Sequence, residues 1–246
     1  MSLGRSDHLR ELGLWPAWRL RRSGPPAEKA LEPVDAQPQP SGTQGTEAPL
    51  LPAAASLDWD GLAAAVAACT RCPLHQTRTQ GVLGVGDRNA DWLVVGEAPG
   101  AEEDRLGEPF VGQAGKLLDA MLAAIGQARG CNVYIANVLK SRPPGNRDPS
   151  PDEVAACVPY LERQIDLIKP KIILALGRFA AQSLLLTDTP IGRLRGRVHE
   201  YRGVPLVVTY HPAYLLRNPA DKAKVWEDLV LARKTLAGVS PGTKDS

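Results

Sequence analysis

Long apolar runs are missing from this sequence. Gly, Pro or a charged residue breaks the longest of them well short of eighteen residues, so no membrane-spanning helix is expected. The N-terminus is basic but has no continuous apolar stretch, so a secretory signal is not expected either. Cysteine is scarce, with four in 246 residues, which argues against a disulfide scaffold at this length. Two of the four stand as Cys69-x-x-Cys72, a spacing that in a cytosolic chain points to metal or redox chemistry. Net charge is only +2, which neither requires nor excludes a polyanionic partner. Phenylalanine occurs just twice. What is present suffices for a packed core: 43% of residues are hydrophobic and 23% charged, which excludes wholesale disorder. The length suits one α/β domain with extra segments, or two small domains.

The chain reads as four parts. Residues 1–24 form a basic arm with five Arg and two Trp, Trp15 and Trp18, either a short helix or a weakly ordered extension. Residues 25–56 hold seven Pro among Gln, Ser, Thr, Gly and Ala and read as a disordered, polyproline-like linker. Residues 57–238 are globular in pattern, and 239–246 read as a disordered tail. Ser56 precedes Leu57-Asp58-Trp59-Asp60 as the expected N-cap of an Ala-rich helix reaching about Cys69. Buried strands are predicted at 92–96, 132–139, 171–177 and 205–210, each an apolar or β-rich run. Helices are predicted near 112–126, 151–169, 177–187 and 220–237. The helix at 151 has Ser150 as N-cap, Pro151 at its first position and Glu153 at its third, the capping-box pattern. Strands alternating with helices imply a three-layer α/β/α sandwich around a mostly parallel sheet. Ligands bind such sheets at the carboxyl ends of the strands.

The strand ends carry unusual residues. Gly96-Glu97-Ala98-Pro99-Gly100-Ala101-Glu102-Glu103-Asp104 packs four carboxylates into a Gly- and Pro-rich loop. It could position or activate water, or be an acidic turn capping the next helix. Phe110 sits in the Gly-rich loop Glu108–Gly115, either to stack on a planar ring or as core. Asn137 ends its strand; its amide matches the imide edge of uracil, or it forms a turn. His211 follows the last strand and could donate to developing negative charge, or be a buried histidine. Leu215-Leu216-Arg217 joins an apolar wedge to a cation, a pattern suited to entering a duplex and gripping phosphate. Lys140, Arg142, Arg147, Arg193, Arg195, Arg197 and Arg217 are candidates for a basic, phosphate-binding rim.

Order and spacing together are more specific than any one piece. Gly96–Asp104, Pro109-Phe110-Val111-Gly112-x-Ala114-Gly115-x-Leu117-Leu118, Asn137-Val138-Leu139-Lys140-x-Arg142-Pro143-Pro144-x-Asn146-Arg147 and His211–Pro219 resemble the family 4 uracil-DNA glycosylases over residues 60–237. The resemblance implies a DNA repair enzyme that flips uracil out of DNA and hydrolyses its N-glycosidic bond, leaving an abasic site. By motif position, Phe110 would stack on the base and Asn137 would read its N3/O4 edge. His211 would stabilise charge on O2, and Glu97 would position the attacking water, a role that Glu103 or Asp104 could share. Ala98 and Glu103 would help line the uracil pocket. Leu215, Leu216, Arg217 and Arg142 would meet DNA. The loop after Asn137 contains no His, which argues against a covalent variant of the reaction.

The resemblance also implies a [4Fe–4S] cluster on four cysteines. Cys69, Cys72 and Cys157 match three positions, but the fourth is Ser141, whose hydroxyl is a harder and far less acidic donor than thiolate. Cys131 lies at the far end of its strand and is not expected to substitute. The outcomes open are a cluster with Ser141 or water at one iron, a labile cluster, or none, with zinc on the three thiols in the last case. A cluster present but weakened is the favoured reading. The expected partner is uracil-containing DNA, with no membrane association. A cytoplasmic monomer, nucleoid-associated when acting on DNA, is expected, with any protein partner engaging the arm. The alternative to an enzyme is a glycosylase-like module that binds DNA or uracil with little turnover.

Overall fold

The computed structural model describes residues 54–238. The expected arm, most of the expected linker and the tail lie outside the described residues. The chain divides into two units, residues 1–46 and 47–246, and the described residues belong to the second.

One six-stranded sheet organises this unit. Its strands are β1 (Val85–Gly86), β2 (Trp92–Gly96), β3 (Val133–Asn137), β4 (Ile172–Leu176), β5 (Val198–Tyr201) and β6 (Val204–Thr209). Their order is β1-β3-β2-β4-β6-β5. The central four run parallel, while β1 and β5 close the two edges antiparallel. The helices are α1 (Trp59–Ala67), α2 (Ala101–Leu106), α3 (Gln113–Ala124), α4 (Pro151–Ile168), α5 (Gly177–Leu185), α6 (Ile191–Leu194), α7 (Pro212–Arg217) and α8 (Lys222–Gly238).

The apolar runs become strands because both sheet faces are covered, so successive side chains need no polar alternation. Leu93, Val95, Tyr134, Ala136, Ile173 and Ala175 point into one core with Leu161 and Ile165 of α4 and Ala180, Ala181 and Leu184 of α5. Trp92, Val94, Val133, Ile135, Ile172 and Leu174 point into the other with Leu118 and Leu122 of α3, Leu215 of α7 and Val225 and Leu229 of α8. The period of two within each strand thus sorts its residues between two apolar layers.

The structure gives the expected three layers and four central strands. It adds two edge strands that had no clear sequence signal. β1 is two residues long. β5 alternates exposed and half-buried residues and reaches β6 through Arg202-Gly203, both at positive φ, the conformation of a two-residue type I′ hairpin turn. The start of α1 is corrected. Its N-cap is Asp58, not Ser56: the Asp58 carboxylate accepts the Gly61 amide hydrogen at 2.8 Å. The α4 start is as expected, with the Ser150 hydroxyl accepting from Glu153 N and the Glu153 carboxylate accepting from Ser150 N.

Candidate active site

After β2 the chain goes first to β3 on one side and later to β4 on the other, so a crevice opens at the carboxyl ends of these strands. A cavity of about 450 Å³ lies there, lined among others by Glu97, Ala98, Glu103, Phe110, Asn137, Asp148, His211 and Arg217. Four separate sequence motifs therefore meet in one cavity. Backbone register contributes directly, since Gly96 and Asn137 are paired across β2 and β3. Position 96 has to be glycine for lack of space: a Cβ there would meet the Phe110 ring at 2.6 Å and Asn137 Oδ1 closer still.

Asn137 is 3% exposed, and its Oδ1 has no hydrogen-bond partner among the described residues. An unpaired buried carbonyl costs about 1–3 kcal/mol, and a donor entering the cavity would relieve that cost. The strand end itself is held by Lys140, whose Nζ donates to the Asn137 carbonyl at 2.8 Å and to Gln164 Oε1 at 2.6 Å.

His211 caps α7. Its Nδ1 accepts the Ala213 amide hydrogen at 3.1 Å, so in the neutral ring the proton sits on Nε2, which becomes the donor. Burial lowers its pKa to about 4, helped by Arg217 and opposed by Glu103. The ring is neutral at physiological pH and lies 5.4 Å from the Phe110 ring, tilted by 30°.

Glu97 has the opposite history. Burial raises its carboxyl pKa to about 7, with Asp148 adding to the rise and Arg178 opposing it. Asp148 and Arg178 are themselves paired at 3.1 Å. This carboxyl therefore changes charge near neutrality, as a general base for this pH range should. Glu103 is occupied differently. Its Oε2 accepts from Gly100 N at 3.1 Å, and its Oε1 accepts from Val111 N at 3.0 Å and Gly112 N at 3.3 Å. It ties the acidic loop to the Phe110 loop. Asp104 is buried and accepts from the amide and hydroxyl of Thr79, so the structural reading of the acidic loop holds for Glu103 and Asp104. Glu97 faces the cavity, while Glu103 and Asp104 do structural work.

Some expectations for the rim are corrected. Leu215 is 1% exposed and packs in the core between α3 and α8; it cannot serve as a wedge without unpacking. Leu216, 50% exposed, is the residue of that pair available to solvent. Lys140 is not a rim cation: it is fully buried in the polar contacts described above, and burial lowers its pKa to about 7. Arg195 is spent on the buried Asp228 at 3.0 Å, and Arg147 on Glu153 at 2.6 Å. Arg217 is exposed at the mouth of the cavity, and Arg142 is half-buried with Nε donating to Asn146 Oδ1 at 2.8 Å.

Cys69, Cys157 and Ser141 are buried and Cys72 half-buried. Burial pushes the Cys157 thiol up to about 11 and raises Cys72; Cys72 and Cys69 add to the rise at Cys157, and Cys69 adds to that at Cys72. Cys131 is exposed and apart from them in burial. Ser141 Oγ accepts from Arg78 Nη1 at 2.8 Å, and Arg78 Nη2 donates to the Cys69 carbonyl at 3.0 Å. Among the described residues, no group of three or more His, Cys, Asp or Glu is placed to hold a metal ion. The donor set thus fits an iron–sulfur cluster incompletely: three thiols, and a hydroxyl already engaged by a guanidinium.

Asp148 and Arg178, which adjust in opposite directions the rise that burial gives Glu97, have no signal in the sequence. Asp148 follows a motif that was read for its cations, and Arg178 opens a helix with no chemical signature of its own.

The uracil DNA glycosylase superfamily model matches residues 83–230. A type-4 uracil-DNA glycosylase of Archaeoglobus fulgidus is 49% identical over 168 residues, covering 65% of this chain and 84% of the relative. Its namesakes in Pyrobaculum aerophilum and Thermotoga maritima are each 44% identical, over 66% and 67% of this chain and 87% and 88% of their own.

Proposed function

This chain belongs to the uracil DNA glycosylase superfamily, and from that premise we propose that it hydrolyses the N-glycosidic bond of uracil in DNA. The observation that carries the reading is the buried, unpaired Asn137 Oδ1 in a cavity shared with Phe110, His211 and Glu97.

A base cannot be reached inside a duplex, so the nucleotide leaves the stack and enters the cavity. The Phe110 face stacks on the base. Asn137 Oδ1 accepts from uracil N3–H while its amide nitrogen donates to O4. Cytosine presents the reverse pattern and leaves both groups mismatched. As the C1′–N1 bond breaks, its electron pair moves onto the base. His211 Nε2–H donates to O2, where that charge gathers, as a neutral donor aimed into a largely buried site. Glu97, ionised, holds the water whose oxygen bonds to C1′ and takes its proton. An oxocarbenium-like sugar needs little base strength, so His211 contributes more than Glu97. Ala98 and Glu103 complete the pocket, with Glu103 acting through the loops it ties together. Leu216 enters the gap left by the nucleotide, and Arg217 and Arg142 meet phosphate.

The cofactor reading is a [4Fe–4S] cluster on Cys69, Cys72 and Cys157, weakened because Ser141 supplies no thiolate. Since the donor set is incomplete, no step of the hydrolysis is drawn through it. Residues 57–238 act as the glycosylase unit. The protein works as a cytoplasmic monomer on nucleoid DNA; among the described residues no helix is long and apolar enough to cross a membrane.

The test is uracil release from an oligonucleotide with one uracil, beside matched thymine and cytosine strands. Selective strand cleavage after alkali supports the enzyme. Retained binding to uracil-containing DNA with no release supports the binding module instead, and Ser141 is then the first suspect.

A further inference from the structure

Phe110 stands at φ +56°, a left-handed conformation that a bulky L-residue holds only where its surroundings impose it. Two oppositely charged side chains grip the backbone around it. From one side Glu103 takes the amide hydrogens of Val111 and Gly112. From the other, Arg129 donates Nη1 to the Pro109 carbonyl at 3.0 Å and Nη2 to the Phe110 carbonyl at 2.8 Å. The third side of the guanidinium is also used, with Nε donating to Asp119 Oδ1 of α3 at 3.1 Å. Gly115 leaves the room this needs, because a Cβ there would run into the Phe110 carbonyl.

We propose that Arg129, aimed by Asp119, is a positioning residue that fixes the Phe110 ring against Gly96 and beside His211, and so sets the stacking face for the base. The inference rests on the reading of Phe110 as that face. Arg129 lies in the connection before β3 and does not line the cavity; it reaches Phe110 only through the backbone carbonyl. Its ion pair with Asp119 is partly solvated, with side-chain exposures of 24% and 48%, and such pairs contribute little by themselves. The two charge-assisted bonds to adjacent carbonyls are the stronger contacts. They call for a planar fork that spans both acceptors, which lysine, a point charge, lacks.

The test is a double-mutant cycle on the full chain, read as inhibition by free uracil and as the split between KM and kcat. Arg129→Met is expected to weaken uracil binding about tenfold and to raise KM in the wild-type background. In the Phe110→Ala background it should add less than twofold, because its effect travels through the ring. If the Met variant does not fold, Arg129→Lys, which keeps a cation against Asp119, carries the same comparison. An equal loss in both backgrounds, or no loss in the wild type, overturns the proposal. Unchanged uracil binding by Phe110→Ala alone overturns the stacking reading, and this proposal falls with it. Loss in Phe110→Ala with additive loss in Arg129→Met sinks only the role given to Arg129.

Discussion

His211 Nδ1 accepts the backbone amide hydrogen of Ala213 at 3.1 Å. That single bond decides the tautomer and leaves Nε2 as the donor of a neutral imidazole, which burial keeps neutral down to about pH 4. Replacing His211 by Ala is expected to lower kcat by about a hundred- to a thousandfold, the usual cost of losing a donor to a developing anion. KM should change far less. Single-turnover uracil release measures both.

Glu97 and His211 titrate far apart, so the pH profile separates them. On the proposed mechanism ionised Glu97 is the active form, and its pKa of about 7 predicts that kcat/KM falls about tenfold per pH unit below neutrality. No acid limb from His211 enters above about pH 5. Asp148→Asn removes the charge that adds to the effect of burial on Glu97 and should move the limb to lower pH; Arg178→Gln should move it higher. A pH–rate profile of each variant checks the direction.

The same group makes a stability prediction of definite sign. A carboxyl whose folded pKa lies above its unfolded value of 4.5 penalises the folded state once it ionises. The penalty grows as pH rises from about 4.5 to about 7 and is constant beyond. Glu97→Gln should therefore raise the melting temperature at pH 8 and leave it nearly unchanged at pH 4, while lowering activity at pH 8 about a hundredfold. Melting curves at the two pH values, beside the release assay, test both halves.

Much of this site was legible because it is made of short motifs at strand ends. Glu97 and His211 follow, and Asn137 ends, short apolar or β-rich runs that suit buried strands, and α/β topology brings such ends together. What the sequence could not give was how each side chain is used. Glu103 and Asp104 look the same as Glu97 in a line of text, yet backbone amides and Thr79 occupy them. Lys140 looks like a rim cation, and Leu215 like a wedge. Lys140 is buried among residues that are themselves buried, Leu139 and Ser141 on either side and Gln164 at its Nζ, and Leu215 is buried while Leu216 beside it turns to solvent. The hold of Arg129 on Phe110, nineteen residues apart, is a tertiary fact with no local pattern.

Ser141 carries the cofactor prediction. Anaerobically purified protein should contain iron and absorb as an iron–sulfur protein, and it should lose that absorbance in air faster than Ser141→Cys, whose added thiolate completes the donor set. The same substitution frees Arg78 from its bond to the hydroxyl. Colourless, iron-free wild-type protein overturns the weakened-cluster reading.

Arg217 should act on affinity without acting on chemistry. Arg217→Ala is expected to weaken DNA binding and to reduce the slope of log K against log salt by about one, as loss of a single phosphate contact does. Single-turnover release at saturating protein should be little changed. Salt titrations of both proteins on one duplex check it.

The most direct test of the account is single-turnover release of uracil from a duplex carrying one uracil, by the wild type and by Asn137→Asp side by side. The account predicts release by the wild type from uracil and not from cytosine or thymine strands. It predicts release weakened by about tenfold or more in Asn137→Asp, where the donor to O4 is lost. Equal release by the two proteins would contradict it, because Asn137 would then not read the base.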